Sequence, residues 1–442
     1  MQEIIEHKRL NEKMIYRQMP NGLDVYIIPK KGYSKQFAVY IAHYGSNDSE
    51  FIAPGDPVPI RVPDGIAHFL EHKLFEEKEG NIFEEYSRLG AQPNAFTNFT
   101  TTAYHFTSTE NFYEALGILV DFVGRPYFTD ENVEKEKGII SQEIKMYEDN
   151  PQWKVYFNLL KGLYQSYPVR KEITGTVDSI QEITKEILYK CYETFYHPSN
   201  MVLFAAGDID PGQMFDTLIK RCKENRSIKK WNVERIFPRE PHSVNQALVE
   251  EKLAVHRPIF ALGFKDTKVG QRGKELLKKI IAQKILLELL LGSSSDLYND
   301  LYEKGLIDNS FYADFIGEVD YGHVVISGET DQPEVVVEKI YEEIEKKKED
   351  FWPAEDFLRI KKKKAGEFIR IFNSVEAIGF QFISYYFNKI HLFDYIDLLE
   401  DIHYYDVIRS FNDIFDKGKS SLSVIRPKIK KSIIRPKIKK LG

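Results

Sequence analysis

An internal echo constrains this chain more than any other feature. Laid on itself at an offset of 215 residues, Ile66-Ala67 falls on Ile281-Ala282, Leu74 on Leu289, Phe83 on Tyr298, Gly90 on Gly305, Asn94 on Asn309 and Phe96 on Phe311. Matches held at one offset point to two copies of one layout. A length of 442 residues suits that division, because a single core stops growing well below it. The matched segments mix helical periodicity with runs rich in β-branched and aromatic residues, so the class is α+β in two similar halves. The polar stretch from Glu224 to Asn245, with Pro238, Pro241 and a basic Lys229-Lys230, reads as the connection between them. The expected division is a first half over residues 1–225, a linker over 226–245, a second half over 246–425 and a basic tail over 426–442. The C-terminus carries a short repeat, Val424–Lys431 and Ile434–Lys440, whose bases without acids mark a solvated segment.

In the first half, Leu23–Ile28 and Gln36–Ala42 read as strands. A loop from Gly45 to Pro63, punctuated by Pro54, Gly55, Pro57 and Pro59, leads to Asp64, which is placed to cap a helix starting at Gly65. Asn81 to Leu89 reads as a helix closed by Gly90, and Asn94 to Ser108 as an extended segment dense in Phe, Thr and Tyr. Helical patterns follow over Asn111 to Val123 and Asp130 to Glu148, the second ended by Asp149-Asn150-Pro151.

The helix after Asp64 carries His68-Phe69-Leu70-Glu71-His72. Residues i and i+4 lie one above the other on a helix, so both imidazoles reach one metal ion, and the spacing suits zinc. Glu71 lies on the same side, close enough to take a proton from water held at that metal. In the register of the echo His68 falls on Gln283, Glu71 on Leu286 and His72 on Leu287, so the first half keeps a metal site that the second has packed shut. A catalytic zinc takes three protein ligands and leaves one position open. The helix from Lys135 to Lys145 offers Glu136 and Glu143, about two turns apart on one face, so that one can bind metal while the other supports it from behind.

Composition narrows the field. With 61 basic against 67 acidic side chains the chain lacks the footprint of general nucleic-acid binding. Only Cys191 and Cys222 occur, which excludes a disulfide framework and a thiolate metal site and fits a reducing compartment. No apolar run reaches the roughly 18 residues of a membrane span, and the first residues lack a signal-peptide pattern. The expectation is a cytoplasmic protein with no membrane and no nucleic-acid partner.

The His68-x-x-Glu71-His72 order, the Glu136/Glu143 pair, Pro93-Asn94-Ala95-Phe96-Thr97, Ser141–Pro151, Tyr196–Met201, Gly207–Asp210 and the turn Leu290–Ser295 together resemble one family. It is the pitrilysin/insulin-degrading/mitochondrial-processing-peptidase family of zinc peptidases, the inverzincins, and the likeness spans nearly the whole chain. The resemblance implies a mostly antiparallel sheet in each half and a half-shell of a clam-like assembly. It implies one Zn2+ per chain, held by His68, His72 and Glu143, with Glu71 as general base and Glu136 behind the ligands in the catalytic site. It implies hydrolysis of short or unfolded peptides in a groove lined by Asn94, Ala95, Phe96 and Thr97. The stretch from Pro93 to Tyr104 reads as an edge strand, which recruits peptide by backbone pairing.

The chain departs from the family at one place. Many members carry an Arg and a Tyr seven residues apart after the Gly-Ser turn. Here Tyr302 stands where the Arg is expected, one residue is missing before Gly305, and Asp308 replaces the Tyr. The expectation is a dimer enclosing a chamber, with a related subunit supplying the missing pair. A homodimer is the other arrangement. A non-catalytic zinc-binding or core subunit of a hetero-oligomeric complex is the other function.

Overall fold

The computed structural model describes residues 2–78, 82–221 and 231–428. A seven-stranded sheet runs in the order Gln2–His7, Glu12–Gln18, Asp24–Pro29, Met201–Gly207, Gln36–Ala42, Thr102–Ser108, Gln92–Thr97. A five-stranded sheet runs Leu248–Leu253, Ser420–Pro427, Ile259–Lys265, Gly322–Glu329, Tyr312–Gly317. The last five strands of the first sheet repeat the second strand for strand. In each set the leading pair is parallel and every later pair antiparallel. The two α+β halves are therefore present, and the shared topology is the physical content of the echo.

Its offset is not constant. Gly90 and Gly305 both take left-handed turns, at φ 69° and 65°, and keep the expected register. The next strand does not. A single residue, Ala91, separates Gly90 from Gln92–Thr97, whereas residues 306–311 separate Gly305 from Tyr312–Gly317. Asn94 and Phe96 correspond in the fold to Asp314 and Ile316, so their matches to Asn309 and Phe311 are accidents of an ungapped comparison.

Both faces of the inner strands of each sheet are covered, and each half lends a helix to the other. Along Gln36–Ala42 the side chains alternate: Ala38, Tyr40 and Ala42 pack with first-half helices, while Phe37, Val39 and Ile41 join a cluster dominated by the second half. That second face is covered by the helix Val375–Tyr386, where Gly379 permits the approach. A Cβ there would lie 2.2 Å from the Phe37 ring. In return the helix Pro151–Leu163 covers the second sheet, its Val155, Leu159 and Leu163 meeting Ile259, Ala261 and Ile425. Strands covered on both faces read as unbroken apolar runs, as Met201–Gly207 and the first six residues of Ile259–Lys265 do.

The connection between halves is packed from residue 231 onward. Trp231 stacks on His197 at 4.3 Å and donates to the Thr194 carbonyl at 2.8 Å. Glu234–Arg235 pairs with Phe51–Ile52, and Glu240 accepts from the backbone N–H groups of Gln165, Ser166 and Tyr167 and from the buried Lys265. Its polar composition reflects these hydrogen bonds rather than a free tether. Residues 226–230 of the expected linker and 429–442 of the expected tail lie outside the described residues. Arg426 and Pro427, expected in the tail, end the strand Ser420–Pro427. Among the described residues, no helix is long and apolar enough to cross a membrane.

Candidate active site

The motif helix is Ile66–Leu74, and its N-cap is Gly65 rather than Asp64. The Asp64 carboxylate is taken by Lys171 at 2.7 Å, and its carbonyl accepts from Ser179 Oγ at 2.8 Å. Gly65, at φ 93°, turns the chain so that backbone meets backbone: a Cβ on it would lie 2.4 Å from the Thr174 oxygen. A Cβ on Gly175, at φ 72°, would lie 2.3 Å from the Asp64 oxygen, so the clamp needs a glycine on each side. Ile66, Ala67, Phe69, Leu70 and Leu74 fill the first-half core. The i, i+3, i+4 spacing then leaves His68, Glu71 and His72 together.

The helix Asp130–Glu148 brings the remaining carboxylates. It begins in a capping box between Thr129 and Asn132 and buries Val133, Ile140 and Ile144 in the core. Glu143 oxygens lie 3.6 Å from His68 Nε2 and 3.5 Å from His72 Nε2, and all three donors fall within 4.8 Å of one another. These separations are longer than good hydrogen bonds. They approach the roughly 3.3 Å expected between donors of a tetrahedral zinc with bonds of about 2.0–2.1 Å. Three carboxylates, Glu71, Glu136 and Glu143, gather around two imidazoles, a charge balance that favours a dication. The residues present fit zinc.

Glu136 is almost fully buried and accepts from His72 Nδ1 at 3.0 Å, which turns His72 Nε2 toward the metal position. Its second oxygen lies 4.0 Å from Nζ of Lys73, a lysine without exposed side chain that also donates to the Asn132 carbonyl at 3.2 Å and pairs with Glu76. His68 Nδ1 is buried and finds no hydrogen-bond partner among the described residues. Burial pushes Glu71 above the usual carboxylate value, against the pull of His68 and of the Thr97 hydroxyl. Burial also raises Glu143, but the two histidines and Tyr147 outweigh it and hold it below its ordinary value. For His72 the penalty of burial is overcome by Glu136 and the neighbouring carboxylates, which raise it. Sequence reasoning missed Lys73 and Tyr147. The signals were local: Lys73 precedes Glu76 by three residues, and Tyr147 follows Glu143 by one turn.

The proposed groove strand is Gln92–Thr97, the last strand of its sheet, so its outer backbone edge is open among the described residues. The expected single extended segment is a hairpin. The Asn98 side chain accepts from the N–H groups of Thr100 and Thr101 at 2.8 and 2.7 Å and turns the chain back into Thr102–Ser108. Strand alternation then divides the four expected groove residues. Thr97 faces the motif helix, where its Oγ1 lies 2.6 Å from Glu71 Oε2, and Ala95 packs on the first-half core. Asn94 is exposed, and Phe96 turns to the opposite face, against His105 and Phe380. Phe96 therefore packs at the joint between halves, on the face opposite Thr97.

A family profile described as Insulinase (Peptidase family M16) matches residues 62–177, and one described as Peptidase M16 inactive domain matches residues 182–364. The chain is 46% identical over 407 residues to a Bacillus subtilis (strain 168) protein described as uncharacterized zinc protease YmfH, covering 91% of this chain and 94% of that one. It is 25% identical to the zinc protease PqqE of Helicobacter pylori (strain ATCC 700392 / 26695), covering 92% of each. The crystal structure of a putative M16-like peptidase from Alicyclobacillus acidocaldarius superposes with a TM-score of 0.91 at 33% identity, over 96% of this chain and all of that one. With its duplicated fold and its His-x-x-Glu-His helix, the chain belongs to the M16 family of zinc peptidases.

Proposed function

We propose that this chain is a zinc-dependent endopeptidase acting on short or unfolded peptides, with His68, His72 and Glu143 holding one metal ion. The observation that carries the reading is convergence: three donor atoms within 4.8 Å meet beside a buried carboxylate and an open sheet edge. Zinc, when bound, lowers the pKa of water towards about 7 and polarises a carbonyl. Glu71, raised by burial, is the general base that takes the water proton and returns it to the leaving amine. Glu136 fixes the tautomer and direction of His72. The edge Gln92–Thr97 pairs with the peptide backbone, which accounts for binding extended chains of varied sequence.

A second subunit completes the site in this reading. Tyr302 is half exposed and stacks on Tyr298 at 5.9 Å, while Asp308 is bound by Arg257 at 2.9 Å and by Ser310. Neither replaces the Arg and Tyr that the family carries there. We place the enzyme in the cytoplasm, in a dimeric chamber whose partner is either a related chain contributing that pair or a second copy. The absent pair also favours one other reading, a zinc-binding core subunit without activity of its own. One experiment decides: zinc content and cleavage of a fluorogenic unfolded peptide, with and without chelator, for the chain alone and with its copurified partner. Glu71→Gln keeps zinc and loses turnover by roughly a hundredfold or more, whereas His72→Ala loses both. Near-normal turnover by the Gln variant removes Glu71 from the mechanism, and zinc without turnover in every assembly leaves the core-subunit reading.

A further inference from the structure

We infer that Thr97 is the positioning residue of the general base: its hydroxyl holds the Glu71 carboxylate, so the strand that receives peptide also aims the base. The inference rests on the peptidase reading above. The family resemblance gave Thr97 only a place in the substrate groove, and the structure gives it a different contact. Thr97 Oγ1 lies 2.6 Å from Glu71 Oε2. An ionised carboxylate only accepts, so the hydroxyl is the donor, and a hydrogen bond this short to a charged group is among the stronger kinds.

The bookkeeping of protons supports that direction. Thr97 has a second oxygen within reach, Thr102 Oγ1 at 3.3 Å, its direct cross-strand partner. Thr102 donates its own proton to the buried Tyr44 carbonyl at 2.8 Å. The Thr97 proton therefore chooses between a carboxylate at 2.6 Å and a neutral hydroxyl at 3.3 Å, and charge and distance both select Glu71. The hydroxyl is also fixed in space. Thr97 closes the edge strand immediately before the Asn98 turn, and the register Thr97↔Thr102 ties it to an inner strand of the sheet. Glu71 sits on a separate element, the motif helix, with three rotatable bonds between backbone and carboxylate. A donor on a rigid neighbour removes that freedom. Peptide pairing along Gln92–Thr97 restrains the same strand end that carries the donor, which links occupancy of the groove to the aim of Glu71.

Two substitutions separate this role from a groove contact. Thr97→Val removes the hydroxyl and keeps the shape, while Thr97→Ser keeps the hydroxyl. Each is measured for kcat and KM on a fluorogenic unfolded peptide, for bound zinc, and, for the Val variant without metal, by crystallography. Expected for Val are a kcat lower by on the order of tenfold to a hundredfold, a KM within about twofold, and unchanged zinc. Its Glu71 carboxylate turns away from the strand, and Ser recovers most of the lost kcat. Wild-type kcat in Val, a loss carried by KM, an equal loss in Val and Ser, or an unmoved Glu71 each overturns the inference. Should Val fail to fold, Thr97→Ala against Thr97→Ser makes the same comparison. A wild-type enzyme that binds zinc and cleaves nothing sinks the peptidase reading instead, and the position of Glu71 in the metal-free variant still decides the Thr97 contact.

Discussion

Replacing Gly65 by alanine tests how the motif helix is held. Two costs add. The first is conformational: a residue with a Cβ at φ 93° pays roughly 1–2 kcal/mol in the left-handed region. The second is steric, because the new Cβ would sit 2.4 Å from the Thr174 oxygen and 2.8 Å from its carbon. Those are backbone atoms, which cannot rotate aside, so the segment 174–175 or the helix itself must shift, at roughly 1–3 kcal/mol by analogy with overpacked cores. The sum is about 2–5 kcal/mol, or roughly 4–20 °C in the melting temperature of a half of this size. Gly55 supplies the control: its φ is 91°, nothing lies within 4 Å of where its Cβ would stand, and alanine there pays the first cost alone. Differential scanning calorimetry of metal-free Gly65→Ala and Gly55→Ala gives the two numbers, and zinc titration reports whether the helix shift reaches His68. If Gly65→Ala melts with Gly55→Ala and binds zinc like the parent, the backbone clamp does not hold the helix and the reasoning fails.

Two further predictions concern charge. Glu136→Gln removes the anion that accepts from His72 Nδ1, and zinc affinity measured by chelator competition falls by roughly tenfold to a hundredfold; unchanged affinity shows that packing alone orients His72. Glu318 lines a cavity of about 490 Å³ between the halves, where burial raises it from 4.5 to about 7, Asn388 pulls it down and Asp320 adds to the rise. The folded protein keeps a proton that the unfolded chain releases, so stability falls as pH rises from about 4.5 to about 7 and stays lost above that. Glu318→Gln is then more stable than the parent at pH 8 by roughly 3 kcal/mol and little changed at pH 4; an equal difference at both pH values refutes the assignment.

What could be read in advance was what is local. The His68-x-x-Glu71-His72 spacing needs only one helix, and the helix Asp130–Glu148 has the expected limits because its capping box and the Asp149-Asn150-Pro151 stop are both written within a few residues. What depended on distant partners was not legible. The hairpin Gln2–His7 and Glu12–Gln18 has no strong pattern of its own in its first arm. It is held at the sheet edge partly by His7 and Arg9 reaching Asp397 and Glu400, almost 400 residues away. Asp64 has the chemistry of a helix cap, yet Lys171 and Ser179 claim it, and a glycine turn does the work instead. Nothing local in the sequence says which face Phe96 takes; strand alternation and Phe380 set it against the joint between halves.

The exchanged helices give the second half a role in a site to which it supplies none of the three converging donors among the described residues. Glu143 lies near the end of Asp130–Glu148, and Asn150 caps the next helix, Pro151–Leu163, through the N–H groups of Gln152 and Trp153. That helix is embedded in the second sheet, while Tyr147 stacks on Trp153 at 4.3 Å and also engages the Glu143 carboxylate. One end of the ligand helix is therefore anchored in the first half by the Thr129 cap and the other in the second half by Pro151–Leu163. The place of Glu143 relative to His68 and His72 is therefore set by packing in both halves. Where the echo places Glu71 and His72, the second half carries buried Leu286 and Leu287, and its sheet holds the helix that follows Glu143.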